Sequence, residues 1–419
     1  MRRSPVLQTA NARVTSAGRV LDLLRVAGTL SRVEIADATG LTAATITNVV
    51  RVLMDAGLVG EVGTEQQSRG QPRRILRLEP TAWYTIGIQV DRATTTIVAT
   101  DFTGEVVAST GLRGAGTRGP ASTIEDLTHH VADLLTTARI PAERVLGVGL
   151  VTHGPQDRAS GALRTDQPTA EWRGYPLTST LSKALGIPVL LENDALAAAV
   201  GEQWSGGLPT DDFALIYIGS GVGGAVIMGG EPYRGRSSNA VEIGHVSITG
   251  SDAPCSCGKT GCVEVIAGPV SVVARVRQDE ELARTLGLTG DPAEALVDFE
   301  RIARAWRDGD ERVSGVLEES AHVIGQAALV LADLFDVDTV VLAGPALPTA
   351  GPLYRDAVER ALQESILQSP AHRPRAVLPA DVGTAAAVGA ALHVLRTIPV
   401  ADAPARTDRK TPIPPRGAS

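Results

Sequence analysis

His245, followed by Cys255-Ser256-Cys257-Gly258-Lys259-Thr260-Gly261-Cys262-Val263-Glu264, is the stretch on which the reading of this chain turns. All three cysteines of the sequence fall within it. Three thiolates and one imidazole make the closed tetrahedral set of a structural zinc, with no position left for a catalytic water. Two carboxylates, Glu242 and Glu264, are fixed to the same knot without being needed as ligands. The metal then acts as a clamp that aims those acids. The alternatives are three inert buried thiols, or a disulfide with one cysteine left over. Neither explains why the cysteines cluster beside glycines and a histidine.

Composition bounds the rest. A chain of 419 residues has room for two or three domains. Its hydrophobic residues, 43% of the total, are spread without an apolar run near the ~20 residues that a bilayer span needs. The start, Met1-Arg2-Arg3-Ser4-Pro5, is basic, yet no hydrophobic stretch with a cleavage site follows. Together with zinc-poised thiols this predicts a cytoplasmic protein with no membrane partner. Charge is divided unevenly: residues 1–80 carry 11 Lys and Arg against 7 Asp and Glu, and the remainder carries 28 against 40. A basic end joined to an acidic body points to nucleic-acid contact at the basic end.

That basic end has a helix-turn-helix pattern. Arg19–Val26 reads as an apolar helix, and Ser31-Arg32-Val33-Glu34 as a capping box that opens a short second helix through Ala38. Gly40 provides the turn, and Thr42 is a natural N-cap for a third helix over Ala43–Ala56. On that helix Ile46, Val49, Val50 and Leu53 form the buried stripe. Ala44, Thr45, Thr47, Asn48 and Arg51 point outward, and short polar groups there suit a helix entering a major groove. Glu61–Leu78 reads as a hairpin whose polar tip carries Arg69 and Arg73, as a wing reaching the DNA backbone would. Three-helix bundles also serve as protein-docking modules, and a solvated surface is the alternative for Arg51, Arg69 and Arg73. The wing arginines favour DNA.

Beyond Pro80 strands and helices alternate. Strands are expected over Thr85–Val90, Thr94–Thr100, Val145–Val151, Pro188–Leu191, Phe213–Ile218, Ala225–Met228 and Thr339–Ala343. Helices are expected over Thr123–Ala138, Ala195–Gln203 and Glu311–Leu334. The body is therefore α/β. Between Ile218 and Ala225 lies Gly219-Ser220-Gly221-Val222-Gly223-Gly224, a glycine turn that would let backbone amides approach an anion. It lacks the lysine of a Walker loop, and no helix follows it.

From about residue 12 to 396 the chain resembles the ROK family, which groups sugar-responsive bacterial repressors with sugar kinases of the actin-like ATPase fold. Gly244-His245 with the cysteine run looks like the family's zinc signature. Glu192-Asn193-Asp194-Ala195 looks like its catalytic-aspartate motif, and Gly219–Gly224 like its ATP-phosphate loop. The winged helix-turn-helix, with Gly70-Gln71-Pro72 at the wing's end, looks like the repressor branch. The resemblance implies a winged domain over 1–80, and a two-lobed, ribonuclease H-like ROK domain over 81–396 with its second lobe at about 194–384. A disordered tail over 397–419 is expected from composition. It further implies that Asn193, Asp194, Glu242, His245 and Glu264 line a sugar pocket, Asp194 being the proton acceptor in the kinases.

Departures from the family pattern separate the two branches. Where the kinases carry an Asp-x-Gly-Gly-Thr phosphate loop, this chain has Asp91-Arg92-Ala93-Thr94-Thr95. Loss of both glycines should hinder a triphosphate, which leaves Gly219, Gly221, Gly223 and Gly224 as a vestigial loop and Asp194 as a hydroxyl acceptor. Thr169 stands where the family's pocket asparagine is usual, His153-Gly154-Pro155 replaces a common Pro-Gly-Pro, and Val241 stands where glycine is typical. Asp194 also suits an N-cap for the helix after it, and Glu242 a partner for a backbone amide. The expectation is a sugar-responsive DNA-binding repressor, a homodimer or homotetramer that binds an operator in double-stranded DNA and senses a sugar or sugar phosphate. The alternatives are an ATP-dependent sugar kinase and a protein-interaction module.

Overall fold

A computed structural model describes residues 15–397 except 66–72, 167, 205–207, 209, 249, 365–373 and 380. The expected tail beyond Thr397, the wing tip with Arg69, and Gly70-Gln71-Pro72 lie outside the described residues.

The N-terminal unit holds α1 (Ser16–Ala27), β1 (Thr29–Ser31), α2 (Arg32–Thr39), α3 (Ala43–Asp55), β2 (Val59–Glu65) and β3 (Arg73–Leu78). Its boundaries are written in the caps. Ser31 and Glu34 form the reciprocal capping box of α2, Gly40 ends that helix in the left-handed conformation, and the Thr42 hydroxyl accepts from Thr45 N to start α3. Ile46, Val50 and Leu53 of α3 are buried, whereas Val49 is only half-buried at the edge of the stripe. β2 and β3 pair antiparallel from Val59–Leu78 out to Glu65–Arg73, with a bulge near Glu61, and β1 adds to β3.

The body contains two sheets of identical winding. The first uses β4 (Tyr84–Val90), β5 (Thr94–Thr100), β6 (Val106–Arg113), β7 (Val145–Thr152) and β10 (Val189–Asn193). Around it lie α4 (Pro120–Ala138), the small hairpin of β8 (Gln156–Asp157) and β9 (Ala162–Leu163), and α5 (Leu177–Leu185). α6 (Asp194–Trp204) leads to the second sheet of β11 (Phe213–Ile218), β12 (Val222–Met228), β13 (Glu231–Pro232), β14 (Thr339–Ala343) and β15 (Arg375–Val377). That lobe also carries α7 (Val263–Ala267), α8 (Pro269–Val276), α9 (Glu280–Leu286), α10 (Ala295–Arg307), α11 (Glu311–Phe335) and α12 (Leu347–Glu364), and α13 (Ala385–Thr397) closes the chain. The strand orders are β6-β5-β4-β7-β10 and β13-β12-β11-β14-β15. Each sheet is thus an antiparallel meander of three strands extended by two parallel ones, the same pattern twice.

α6 and α13 join the two halves. Their alanines pack with Val151 of the first sheet and with Phe213, Leu215 and Tyr217 of the second in one buried cluster. The helices touch backbone to backbone at Gly389, where a Cβ would stand 1.7 Å from the Ala197 carbonyl oxygen. The far end of the pair carries the N-terminal unit. Val200 of α6 and Leu392 and Leu395 of α13 share a core with Val20 and Leu24 of α1 and with Phe102, which lies in the turn after β5. Arg25 of α1 stacks on the Phe102 ring at 4.9 Å, and the backbone of Gly104 in that turn lies directly against the Trp204 indole. No helix among the described residues is long and apolar enough to cross a membrane.

Candidate functional site

The cysteine knot is built by short turns. A Cβ on Gly244 would come within 2.0 Å of the Val222 carbonyl oxygen, so only glycine lets the 3-10 turn Ile243–His245 lie against β12. That contact sets His245 beside the cysteine loop. One ligand atom each from His245, Cys255, Cys257 and Cys262 lies within 4.8 Å of the others. Cys257 and Cys262 Sγ are 3.6 Å apart, and Cys255 Sγ is 3.5 Å from His245 Nδ1. A tetrahedral zinc with bonds of ~2.3 Å to sulfur and ~2.0 Å to nitrogen requires edges of roughly 3.8 and 3.5 Å. The four residues therefore fit a tetrahedral metal ion.

Beside the knot runs the cleft between the two sheets. β4, β7 and β10 are parallel neighbours, and Val90, Thr152 and Asn193 are register partners at their carboxyl ends. The next residues are Asp91, His153 and Asp194, so these three side groups stand in a row at the mouth of the sheet. In open α/β sheets this is where ligands bind.

Asp194 is buried, and its Oδ1 accepts from Ala195 N at 2.8 Å. Burial, with the charges of Asp91 and Glu242 added, pushes its carboxyl up to about 8. At neutral pH it is held as the neutral acid. The N-cap of α6 is not Asp194 but Asn193, whose Oδ1 accepts from Leu196 N at 3.1 Å. Glu242 is solvent-accessible in a crowded hollow. Enclosure by protein raises its carboxyl, His245 opposes the rise and Glu264 adds to it. Tyr217 lies beneath, its hydroxyl bonded by Gln89, and burial beside Asp194 and Asp91 raises it well above the ordinary phenol range.

The glycine run differs from expectation. Only Gly219–Gly221 make the turn, because β12 starts at Val222 and pairs Gly223 with Tyr217 and Gly224 with Ile216. Two amides of the run, Ser220 N in the turn and Val222 N at the start of β12, have anionic partners, while Gly219 N donates to the Gly221 carbonyl. Asp91 accepts from Ser220 Oγ at 2.7 Å and from Ser220 N at 3.2 Å, while Glu264 Oε2 accepts from Val222 N at 3.0 Å. Arg92 and Ala93 keep negative φ, so the turn after β4 uses conformations open to any residue.

Two further ties cross the cleft, and the sequence carries no pattern that marks them. Asn239 exchanges two hydrogen bonds with the Gln156 backbone, at 2.6 and 2.9 Å. Arg234 bonds Glu192, which is also 3.7 Å from Arg158 and 3.9 Å from His393. Burial would raise the Glu192 carboxyl, but Arg234, His393 and Arg158 together hold it below the usual range. Within the crossing segment Ser238 and Val241 adopt positive φ, 60° and 63°.

At the other end of the molecule α3 presents Ala44, Thr47, Asn48 and Arg51 to solvent, with Thr45 half-buried. Arg51 stands 3.9 Å from Asp55, both side chains mostly exposed, and Thr47 bonds back to the Ala43 carbonyl at 2.8 Å. Arg73 is half-buried at the base of the wing, and Arg74 is paired with Glu61 at 2.7 Å.

Comparison with known proteins agrees with both parts of the chain. The ROK family model matches residues 85–397, and a winged helix-turn-helix DNA-binding model matches residues 16–59. A putative xylose repressor from a Caldicellulosiruptor species is 26% identical over 83% of this chain and 87% of its own length. The crystal structure of a ROK family transcriptional regulator, described as a homologue of the E. coli MLC protein, superposes with a TM-score of 0.72 at 23% identity, covering 92% of this chain and 98% of that one. A ROK family glucokinase from Streptomyces griseus, solved with glucose and AMPPNP, gives 0.60 at 27% identity over 74% and 98%. With about three quarters of its length matched by the family model, and with the doubled sheet and cysteine knot just described, the chain belongs to the ROK family.

Proposed function

We propose that this protein is a sugar-responsive, DNA-binding transcriptional repressor, with α3 as its recognition helix and the interlobe cleft as its effector site. The observation that carries the reading is the continuity of α6, which begins at Asp194 in the cleft and ends at Trp204 against the turn that holds Phe102 and, through it, α1. Over 11 residues the helix spans roughly 16 Å. A sugar that bonds Asn193, Asp194, Glu242, His245 and Glu264 would move the lobes relative to one another, and α6 with α13 would carry that movement to the winged unit as a close-packed pair. In a dimer or tetramer the spacing of two winged units then changes, and with it the affinity for two half-sites. A coupling of ~1–3 kcal/mol suffices for a switch of 5- to 150-fold. The ion in the knot is zinc in this reading, and it fixes Glu242 and Glu264 from either side of the ligand set.

Catalysis is disfavoured by the glycine run. The amides of Ser220 and Val222 are held by Asp91 and Glu264, so a phosphate entering there meets carboxylates in place of donors. The kinase reading rests on retention of Asp194. Sequencing of genomic fragments captured by the purified full-length protein, with and without D-xylose or D-glucose, tests the proposal. A recurrent palindromic site that is lost with sugar is the expected result. No enriched site, together with Asp194-dependent formation of sugar phosphate from ATP, overturns it in favour of a kinase.

A further inference from the structure

Three cations converge on a single oxygen of the buried Glu192 carboxylate. Its Oε1 accepts from the Asn193 amide at 3.0 Å. Its Oε2 is bonded by Arg234, while Arg158 Nη2 and His393 Nε2 stand 3.7 and 3.9 Å from the same atom, beyond hydrogen-bond reach. Those two groups are 3.2 Å from each other. One guanidinium neutralises one carboxylate, so charge balance does not call for a second. The second also carries a desolvation cost, since burial lowers the Arg158 pKa.

The three cations belong to different bodies. Arg234 is anchored to the second lobe through Tyr233, whose amide donates to the Val226 carbonyl of β12 at 2.8 Å and whose ring meets Phe335 of α11 edge-on at 5.6 Å. Arg158 lies in the turn between β8 and β9 of the first lobe. His393 lies on α13 next to Leu392, which shares a core with Val20 and Leu24 of α1. One oxygen is therefore within reach of both lobes and of the helix that carries the winged unit.

We propose that Arg234 and Arg158 are alternative partners of Glu192, so that a lobe movement which withdraws Arg234 hands the carboxylate to Arg158 and releases Arg158 from His393. The inference rests on the repressor reading and supplies the two-state element that its coupling requires. An exchange keeps the buried carboxylate paired in both arrangements, and so avoids the cost of leaving it alone. Arg234 and Arg158 are positioning residues: they act on the winged unit through His393 and α13.

The test measures operator affinity of the full-length protein by gel shift, without sugar, on the site recovered by genomic capture. Arg234→Met and Arg158→Met each remove one of two competing partners. They are expected to differ by at least about fivefold in operator affinity, with wild type between them. Arg234→Lys keeps the charge but loses the planar fork; it should shift affinity in the same direction as Arg234→Met by less, and it serves if the methionine variant does not fold. In a Glu192→Gln background, where the shared partner is gone, either substitution should change affinity by less than about twofold. Variants that differ less than this, or that fall on the same side of wild type with a lowered melting temperature, overturn the proposal and leave a structural ion pair. If wild type binds no operator, the repressor reading falls by itself. Small-angle scattering then decides the exchange: Arg234→Met and Arg158→Met should move the radius of gyration in opposite senses, and identical profiles overturn it.

Discussion

Asn in place of Asp194 is the perturbation with the largest expected effect. The wild-type carboxyl has a folded pKa of about 8 against an ordinary value of 3.8. Because the folded value is raised, the folded state holds a proton that the unfolded chain releases. The resulting stability is fully present below pH 3.8 and is lost as pH rises through the folded value. At 1.36 kcal/mol per pH unit the loss reaches up to ~4 kcal/mol at pH 7. Asparagine keeps an oxygen for the Ala195 amide and does not ionise, so Asp194→Asn escapes the loss. Relative to wild type, its stability should grow by about 3 kcal/mol between pH 5 and pH 7.5. Glu202, which burial raises to about 7, is common to both proteins and cancels. Urea unfolding of the sugar-free proteins at the two pH values measures the difference. A stability difference that does not change with pH would refute the claim that burial, Asp91 and Glu242 keep Asp194 neutral, and with it the description of the cleft as a crowded carboxylate site.

The remaining predictions concern the ends of the coupling route and the knot. Asn48→Ala combined with Arg51→Ala should abolish operator binding in a gel-shift assay while sugar titrations stay unchanged; retained operator binding would displace α3 from its role. Cys262→Ser removes a fully buried thiolate from the ligand set, and metal analysis should fall from one zinc per chain towards none as the melting temperature drops. Arg25→Ala, which removes the stacking on Phe102, should leave operator and sugar binding in place but bring the operator affinities with and without sugar close together.

What was legible in the sequence was whatever local chemistry dictates. The capping residues Ser31, Glu34 and Thr42 mark helix starts because their side chains satisfy amides three residues away, and all three do so here. The clustering of His245 with the three cysteines was legible because metal geometry demands that residue set at close range. Strand positions followed from apolar runs, but the beginning of β12 did not: Gly223 and Gly224 look like turn residues, and only the close approach of Val241 and Ile243 to Gly224 explains why glycine occupies a strand there. The ties across the cleft were invisible for a different reason. Asp91 and Ser220 are separated by 129 positions, and neither sits in a pattern that names the other. Arg234 and Glu192 meet only because two separately folded sheets are brought face to face. The same holds for the row of Asp91, His153 and Asp194. Each belongs to a motif of its own in the sequence, and their adjacency exists only through the parallel register of β4, β7 and β10. The cysteine–histidine cluster and the winged helix-turn-helix are therefore properties of contiguous sequence, whereas the row of Asp91, His153 and Asp194 belongs to strand ends that only the folded sheet aligns.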